Sequence, residues 1–327
     1  MVSFIIIGKN EGWKLLKSIE SVYKAIEINK IENSEVIYVD SRSTDNTLDD
    51  IKIFKNLIVA VISGDVNAAV ARNIGFKESK NNNLIFIDGD MEIKADFLPL
   101  ILDINKNLKY PFCSGNWMNY NYLNFENKNI LNKKIKKKMT SAQTEFVTGG
   151  LFAIKRDVWE SVGGMKTIMK RSQDWDLALR LSKKGVFLYR LKEIFAIHHT
   201  LPPKESVFKM WKMFFLGYKL YRIVILRNNL FNKYQWKHFL RINYSFIFLI
   251  ISLLLSMFLN NYGFLSIYFT VLLIKNFVSY KKNILFLVNG FVINFFYDLL
   301  YIFALFFFFP TKKELVYTLI KNTNDSY

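Results

Sequence analysis

The chain has 327 residues, 45 Lys and Arg against 27 Asp and Glu, and a formal net charge of +18. It is 51% hydrophobic, which excludes a disordered chain, and its single cysteine, Cys113, excludes a disulfide scaffold or a cysteine-rich metal cluster. At roughly 150 residues per domain, the length suggests about two units.

Residues 2–8 (VSFIIIG) are a continuous apolar, β-branched run, the signature of a buried parallel strand and too short for a signal peptide. Residues 11–28 carry apolar groups at helical spacing (Leu15, Leu16, Ile19, Val22, Tyr23, Ile26). A second strand over 35–39 ends in the cap-rich turn 40–45 (DSRSTD), and a third spans 57–62. A helix over 66–79 carries Ala71-Arg72-Asn73, and a fourth strand over 84–87 runs straight into Asp88-Gly89-Asp90. Alternating strands and helices predict an α/β fold around a mostly parallel sheet. Ligands of such sheets sit at the carboxyl ends of the strands. Asn10, Glu11, Asp40, Asp88 and Asp90 all fall there.

Neither G-x-G-x-x-G nor G-x-x-x-x-G-K-[ST] occurs, so no dinucleotide or P-loop fingerprint is present. Two carboxylates one residue apart suit a hard cation shared with substrate phosphates. Taken alone, D-G-D fits a solvated acidic turn equally well.

Further along, residues 127–138 hold six lysines and no acid, a pattern of either a solvated loop or a contact with anionic lipid or a lipid-diphosphate acceptor. Residues 146–154 (FVTGGLFAI) predict a strand in which Gly149-Gly150 admit a ligand's close approach. Gly163-Gly164 read as the stop of a short helix over 157–162. Asp174 lies just before the apolar helical pattern of Leu177, Leu179 and Leu181, and Asp176 in its first turn fits a helix-dipole role. Trp175 fits either an acceptor wall or simple packing. His198 and His199 follow a strand-like stretch over 194–197.

Beyond that point charge and apolarity segregate. Residues 204–241 carry nine bases and one acid among Trp211, Phe214, Phe215, Tyr218, Tyr221 and Trp236, as in a helix lying in a headgroup layer. No charge occurs from Ile242 to Ile274. Apolar runs over 244–259, 262–274 and 284–309 approach or reach the 17–25 residues that cross a bilayer, the second only if Lys275 snorkels to an interface. From residue 194 onward the net charge is +11 and the lysine run adds +6, which leaves +1 for the rest. The charge therefore lies where an anionic leaflet would be, and nucleic acid is not an expected partner.

Five segments in order, 5–11 (IIIGKNE), 39–47 (VDSRSTDNT), 71–75 (ARNIG), 87–90 (IDGD) and Gly149-Gly150 with 173–180 (QDWDLALR), resemble the inverting nucleotide-sugar glycosyltransferases of family 2, of GT-A fold, over about residues 2–200. The resemblance implies that Asp40 meets the nucleobase, Asn10 and Glu11 base and ribose, and Arg72 the nucleotide. It implies that Asp90 binds a divalent metal, Mg²⁺ or Mn²⁺, with Asp88 towards the ribose, and that either His198 or His199 assists. It makes Asp174 the catalytic base and puts Gly149, Gly150, Trp175 and Asp176 on the acceptor side. Two departures stand out. Ser41 and Arg42 replace an acid and a glycine, and Gln173 replaces the first acid of the usual pair.

The resulting expectation is a GT-A domain over 1–203, basic interfacial helices over 204–241, two or three transmembrane helices within 242–310 and a short tail over 311–327. The protein would sit in the inner (cytoplasmic) membrane, multi-pass, with the catalytic domain in the cytoplasm. It would use a UDP- or GDP-sugar, a lipid-linked or surface-glycan acceptor and anionic lipids, and a homo-oligomer is compatible with the sequence. The competing readings are a polyprenyl-phosphate sugar synthase and a catalytically degenerate GT-A membrane scaffold.

Overall fold

The computed structural model describes residues 1–202, 206–280 and 283–320, which form two units. The first comprises residues 1–202 with the returning segment 312–320, and the second residues 206–311.

The first unit opens with β1 (Val2–Gly8), α1 (Trp13–Ile28), β2 (Glu35–Asp40), α2 (Thr47–Asp50), β3 (Leu57–Ile62), α3 (Ala68–Glu78) and β4 (Asn83–Asp88). These four strands pair in parallel in the order β3-β2-β1-β4. Alternation along β1 explains the layering. Phe4 and Ile6 face one core, with Leu15, Ile19 and Val22 of α1, while Ile5 and Ile7 face the other, with Ala71 and Ile74 of α3. A Cβ on Gly75 would lie 2.2 Å from Ile5, so a glycine there brings α3 close against β1.

The rest of the unit makes the sheet mixed. β5 (Met91–Ile93), α4 (Leu98–Ile101), β6 (Phe112–Tyr122), β7 (Ile130–Ile135), β8 (Gln143–Glu145), β9 (Leu151–Lys155), α5 (Arg156–Glu160), α6 (Gln173–Ser182) and β10 (Leu188–Thr200) follow. β9 is antiparallel to β4 and β6, β10 is parallel to β6, and β5, β7 and β8 pair antiparallel at the margins. The parallel character is thus confined to the first four strands and the β6–β10 pair. Two sequence expectations shift. The strand expected over 146–154 begins only at Leu151, because Gly149 takes a left-handed φ of 76° that a strand cannot hold. The lysine run contains a real strand, β7, all of whose residues are exposed.

The second unit contains α7 (Val207–Phe215), α8 (Tyr221–Asn228), α9 (Lys233–Phe258), α10 (Leu265–Tyr280) and α11 (Ile284–Phe307). Arg227 of α8 donates to the carbonyls of Ala304, Leu305 and Phe308, closing the C-terminus of α11 where cations are favoured. Three helical stretches, Lys233–Phe258, Tyr262–Tyr280 and Ile284–Phe307, are long and apolar enough to cross a membrane. Leu254, Phe258, Phe277, Phe303 and Phe307 on them are large, apolar and exposed. The Lys275 ammonium donates to the buried Ser245 hydroxyl at 2.7 Å.

The end of the chain is more than a tail. Residues Tyr317–Ile320 form β11, antiparallel to β3 at the sheet edge. Just before it, Thr167 exchanges hydrogen bonds with the Lys313 backbone, and Lys313 pairs with Asp65 at 3.0 Å.

Candidate active site

The loops leaving β1 and β2 are stitched together first. Asn10, itself left-handed at φ 55°, accepts from the Thr44 N–H at 2.8 Å, and its own N–H donates to the Ser43 hydroxyl at 2.9 Å. Asp40 is fully buried and accepts from the Tyr38 hydroxyl, the Ser43 N–H and the Ser43 hydroxyl at 2.5–2.9 Å. Its carboxylate therefore shapes the β2 loop. Arg42 occupies a left-handed φ of 63°, the conformation a glycine takes at no steric cost, at the place where the family pattern has glycine.

Next to this lies the exit of β4. Arg72 on α3 is 5% exposed and pairs with Asp88 at 2.7 Å, while its Nε is buried with no partner among the described residues. Burial pushes the Asp88 carboxyl up to about 6 against the pull of Arg72, and Asp90 and Glu11 add to the rise. Glu11, paired with Lys14, is likewise raised, first by burial and then by Asp90. A crowd of carboxylates beside one guanidinium lacks positive charge. Phosphate oxygens alone would worsen it, whereas phosphates accompanied by a divalent cation would relieve it.

The two histidines are separated by strand alternation. His198 points to Asp90, with Nε2 3.2 Å from Oδ2, and its Nδ1 lies 2.9 Å from Asn119 Oδ1. That same Oδ1 is 3.1 Å from the Trp117 indole N–H, which can only donate, so the amide orientation is fixed. His198 Nδ1 must then carry a hydrogen, and in the neutral ring Nε2 presents a lone pair to a carboxylate. That junction calls for positive charge, from a proton or from a metal ion. His199 turns the other way, 2% exposed, between the Tyr122 hydroxyl (2.8 Å) and Glu92 (2.6 Å). Among the described residues no three His, Cys, Asp or Glu side chains cluster around one point, so a cation here would complete its shell with substrate oxygens.

Asp174 closes the site. It stands in the first turn of α6, which Ser172 starts from a left-handed φ of 61°. Burial raises its carboxyl above the ordinary carboxylate value, against backbone N–H bonds from Trp175 and Gly149 and the charge of Arg72. Gly149 and Gly150 are required by crowding. An added Cβ would come within 2.6 Å of the Trp117 ring at Gly149, and within 2.5 Å of Asp88 at Gly150.

A family model, glycosyl transferase family 2, matches residues 3–163. The chain carries a family 2 glycosyltransferase domain. Its mixed sheet is that of the GT-A fold. It is 25% identical over 203 residues to an uncharacterized glycosyltransferase of Haemophilus influenzae, covering 59% of this chain and 66% of that one. It is 38% identical over 93 residues to the poly(ribitol-phosphate) β-N-acetylglucosaminyltransferase TarP of Staphylococcus aureus, covering 27% of this chain and 28% of that one. Similar solved structures include S. aureus TarS 1–349 with UDP (TM-score 0.47, 13% identity, 70% of each chain) and GalNAc-T7 with UDP, GalNAc and Mn²⁺ (TM-score 0.49, 17% identity, 61% of this chain and 44% of that one).

The acceptor-side expectations divide. Trp175 is buried at 3% exposure and packs. Asp176 is fully buried and pairs with Arg180 at 2.8 Å, and Arg180 in turn holds the Val162 and Gly164 carbonyls. Its part is to fix the 162–164 turn. Replacing Asp176 by Ala strands Arg180, and breaking such a buried pair costs about 3–5 kcal/mol. Thermal melting should drop by several degrees or more, whereas a melting temperature within a degree of wild type would contradict the assignment.

Two residues escaped the sequence reading. Arg190, 3% exposed on β10, binds Glu145 at 2.6 Å and the carbonyls of Gly115, Val147 and Thr148, so it fixes the turn that presents Gly149. Asn119 orients His198. The available signal for Arg190 was a cation between the apolar Leu188-Tyr189 and Leu191 of β10.

Proposed function

We propose that the protein is a membrane-anchored inverting glycosyltransferase that moves a sugar from a nucleoside diphosphate donor to a lipid-linked or surface-glycan acceptor at the cytoplasmic face. The observation that carries this reading is the convergence of Arg72–Asp88, Asp90–His198 and Asp174–Gly149 at the carboxyl ends of the central strands.

The proposed step is an in-line displacement. Asp174 takes the proton of the acceptor hydroxyl as that oxygen bonds to the anomeric carbon. The bond from that carbon to the diphosphate breaks, its electrons leave on the nucleoside diphosphate, and the configuration inverts. Asp90 and His198 would hold a divalent cation, which when bound neutralises charge on the leaving diphosphate. Arg72, paired with Asp88, would meet the same phosphates.

UDP- and GDP-sugars are the donors to test, with N-acetylglucosamine first because the TarP relative carries that specificity in its name. The lysines on and just after β7 support an anionic acceptor. Lys133 and Lys136 lie over the rings of Tyr120 and Trp117, beside the Gly149 turn, and have no carboxylate within 4.0 Å among the described residues.

Connectivity supports a topology. The chain leaves the catalytic unit at Pro202 and is back in its sheet at β11, which supports an even number of membrane crossings. Two of the three apolar helical stretches would then cross, and Lys312 and Lys313 would stay on the cytoplasmic side, as the positive-inside tendency asks. A reporter fused after Tyr327 should read cytoplasmic, and a periplasmic reading would reject this topology.

Purified full-length protein, incubated with labelled nucleotide sugars, Mn²⁺ or Mg²⁺ and total lipid extract, should transfer label to the lipid phase. A lipid phosphate as acceptor would give acid-labile label. Failure to transfer or hydrolyse any donor, with Asp174→Asn indistinguishable from wild type, would leave only a scaffold.

A further inference from the structure

The helical unit has an unbalanced charge. Its described residues include nine Lys and Arg and one acid, Asp298, and no ion pair within 4.0 Å occurs among them. Asp298 is 2% exposed and already engaged, accepting from Tyr268 at 3.3 Å and from Ser245. Lys219, in the turn Tyr218–Leu220, has its ammonium 4.5 Å above the Tyr297 ring and no carboxylate within 4.0 Å among the described residues. Burial pushes its pKa down to about 8, and neighbouring Arg222 and Lys275 push the same way, opposed by Asp298. Lysines are rarely withdrawn from water without a partner.

The same ammonium lines a cavity of about 370 Å³. Its polar lining comes from Lys209, Lys219, Ser206 and Asn294, and its apolar lining includes Met210, Met213, Phe286 and Ile293. Around it, Phe208 and Phe215 of α7 are 78% and 77% exposed. Two cations and several hydrocarbon side chains in one lining match one chemistry, an anionic head joined to an apolar chain. A free phosphate would leave the apolar walls empty, and a neutral lipid would leave Lys219 uncompensated.

We infer that this cavity binds the phosphate head of an anionic membrane phospholipid, with Lys209 and Lys219 as its ligands and the methionine–phenylalanine wall against the start of its chains. The inference rests on the proposed membrane anchorage. Bound lipid would supply the missing counter-charge and tie α7 to α11, which already meet through the Trp211–Asn289 and Tyr297–Met213 hydrogen bonds.

The test uses the full chain in detergent, with phosphatidylglycerol or phosphatidylcholine added and retained lipid read by native mass spectrometry. Wild type should retain one phosphatidylglycerol about tenfold more strongly than phosphatidylcholine, given the gain per lysine near anionic headgroups. The double variant Lys209→Gln/Lys219→Gln should lose that preference. Lys219→Met controls for folding. Without anionic lipid it should melt at or above the wild-type temperature, because it removes an uncompensated charge. Equal retention of the two lipids by wild type, or an undiminished preference in the double variant, overturns the inference. So does inorganic phosphate alone raising the melting temperature as much as phosphatidylglycerol does. Failure of the membrane reading itself looks different: the chain would stay soluble without detergent and retain no lipid of any head group.

Discussion

Replacing Asp174 by Asn should lower turnover by about 10²–10⁴-fold, the usual contribution of a positioned general base. The amide keeps the size of the carboxylate and can still accept one of the N–H bonds from Gly149 and Trp175, so the fold and donor binding should survive. What is lost is the ability to take a proton. The pH profile gives a second readout. Burial raises the Asp174 carboxyl, so the base becomes protonated, and activity falls, at a pH above the ordinary carboxylate value. The acid limb of wild-type turnover should lie there and be missing from the residual activity of the variant. Stability should move oppositely. A carboxyl whose folded pKa is raised favours the folded state below its unfolded pKa, and that contribution is lost as pH rises through the folded pKa. At neutral pH the ionised Asp174 therefore weakens the fold, and the Asn variant should melt higher than wild type. Turnover above half of wild type at pH 7 would remove Asp174 from the chemistry.

The parts of this site that the sequence disclosed are those carried by local pattern. Apolar β-branched runs ending in Asn10, Asp40 and Asp88 mark strand ends, and strand ends are where a parallel sheet binds ligands. The parts it hid depend on pairing between distant segments. Nothing local to Lys133 and Lys134 distinguishes a solvated loop from a strand; β7 exists because β6 offers it an edge. Nothing local to Tyr317–Ile320 says that β3 lies open beside it. Arg190 becomes legible only once the Glu145–Thr148 segment is folded around its guanidinium. The two histidines were a different case. Adjacent residues of a strand face opposite sides, so only one of the pair could reach Asp90, and that follows from the period of two alone.

The Asp90–His198 junction carries the second large effect. Asp90→Ala should reduce kcat/KM by about a hundredfold or more, the scale of several kcal/mol attributed to metal stabilisation of a leaving group. Binding should fall as well. Titration with Mn²⁺ followed by electron paramagnetic resonance, in the presence of nucleoside diphosphate, should give weaker retention in Asp90→Ala and in His198→Ala. Asn119→Ala is the more discriminating variant. It leaves both donor atoms in place and removes the acceptor that keeps the hydrogen on His198 Nδ1. Loss of such an orienting partner typically costs 10–100-fold in metal affinity. A structural role for Asn119 would lower the melting temperature without changing Mn²⁺ affinity. His199→Ala makes the contrast, since its nitrogens are committed to Tyr122 and Glu92 on the other face of the strand. It should cost stability and leave Mn²⁺ binding by the folded protein within about twofold. If His199→Ala abolished that binding while His198→Ala preserved it, the assignment of the metal-facing side of β10 would be reversed.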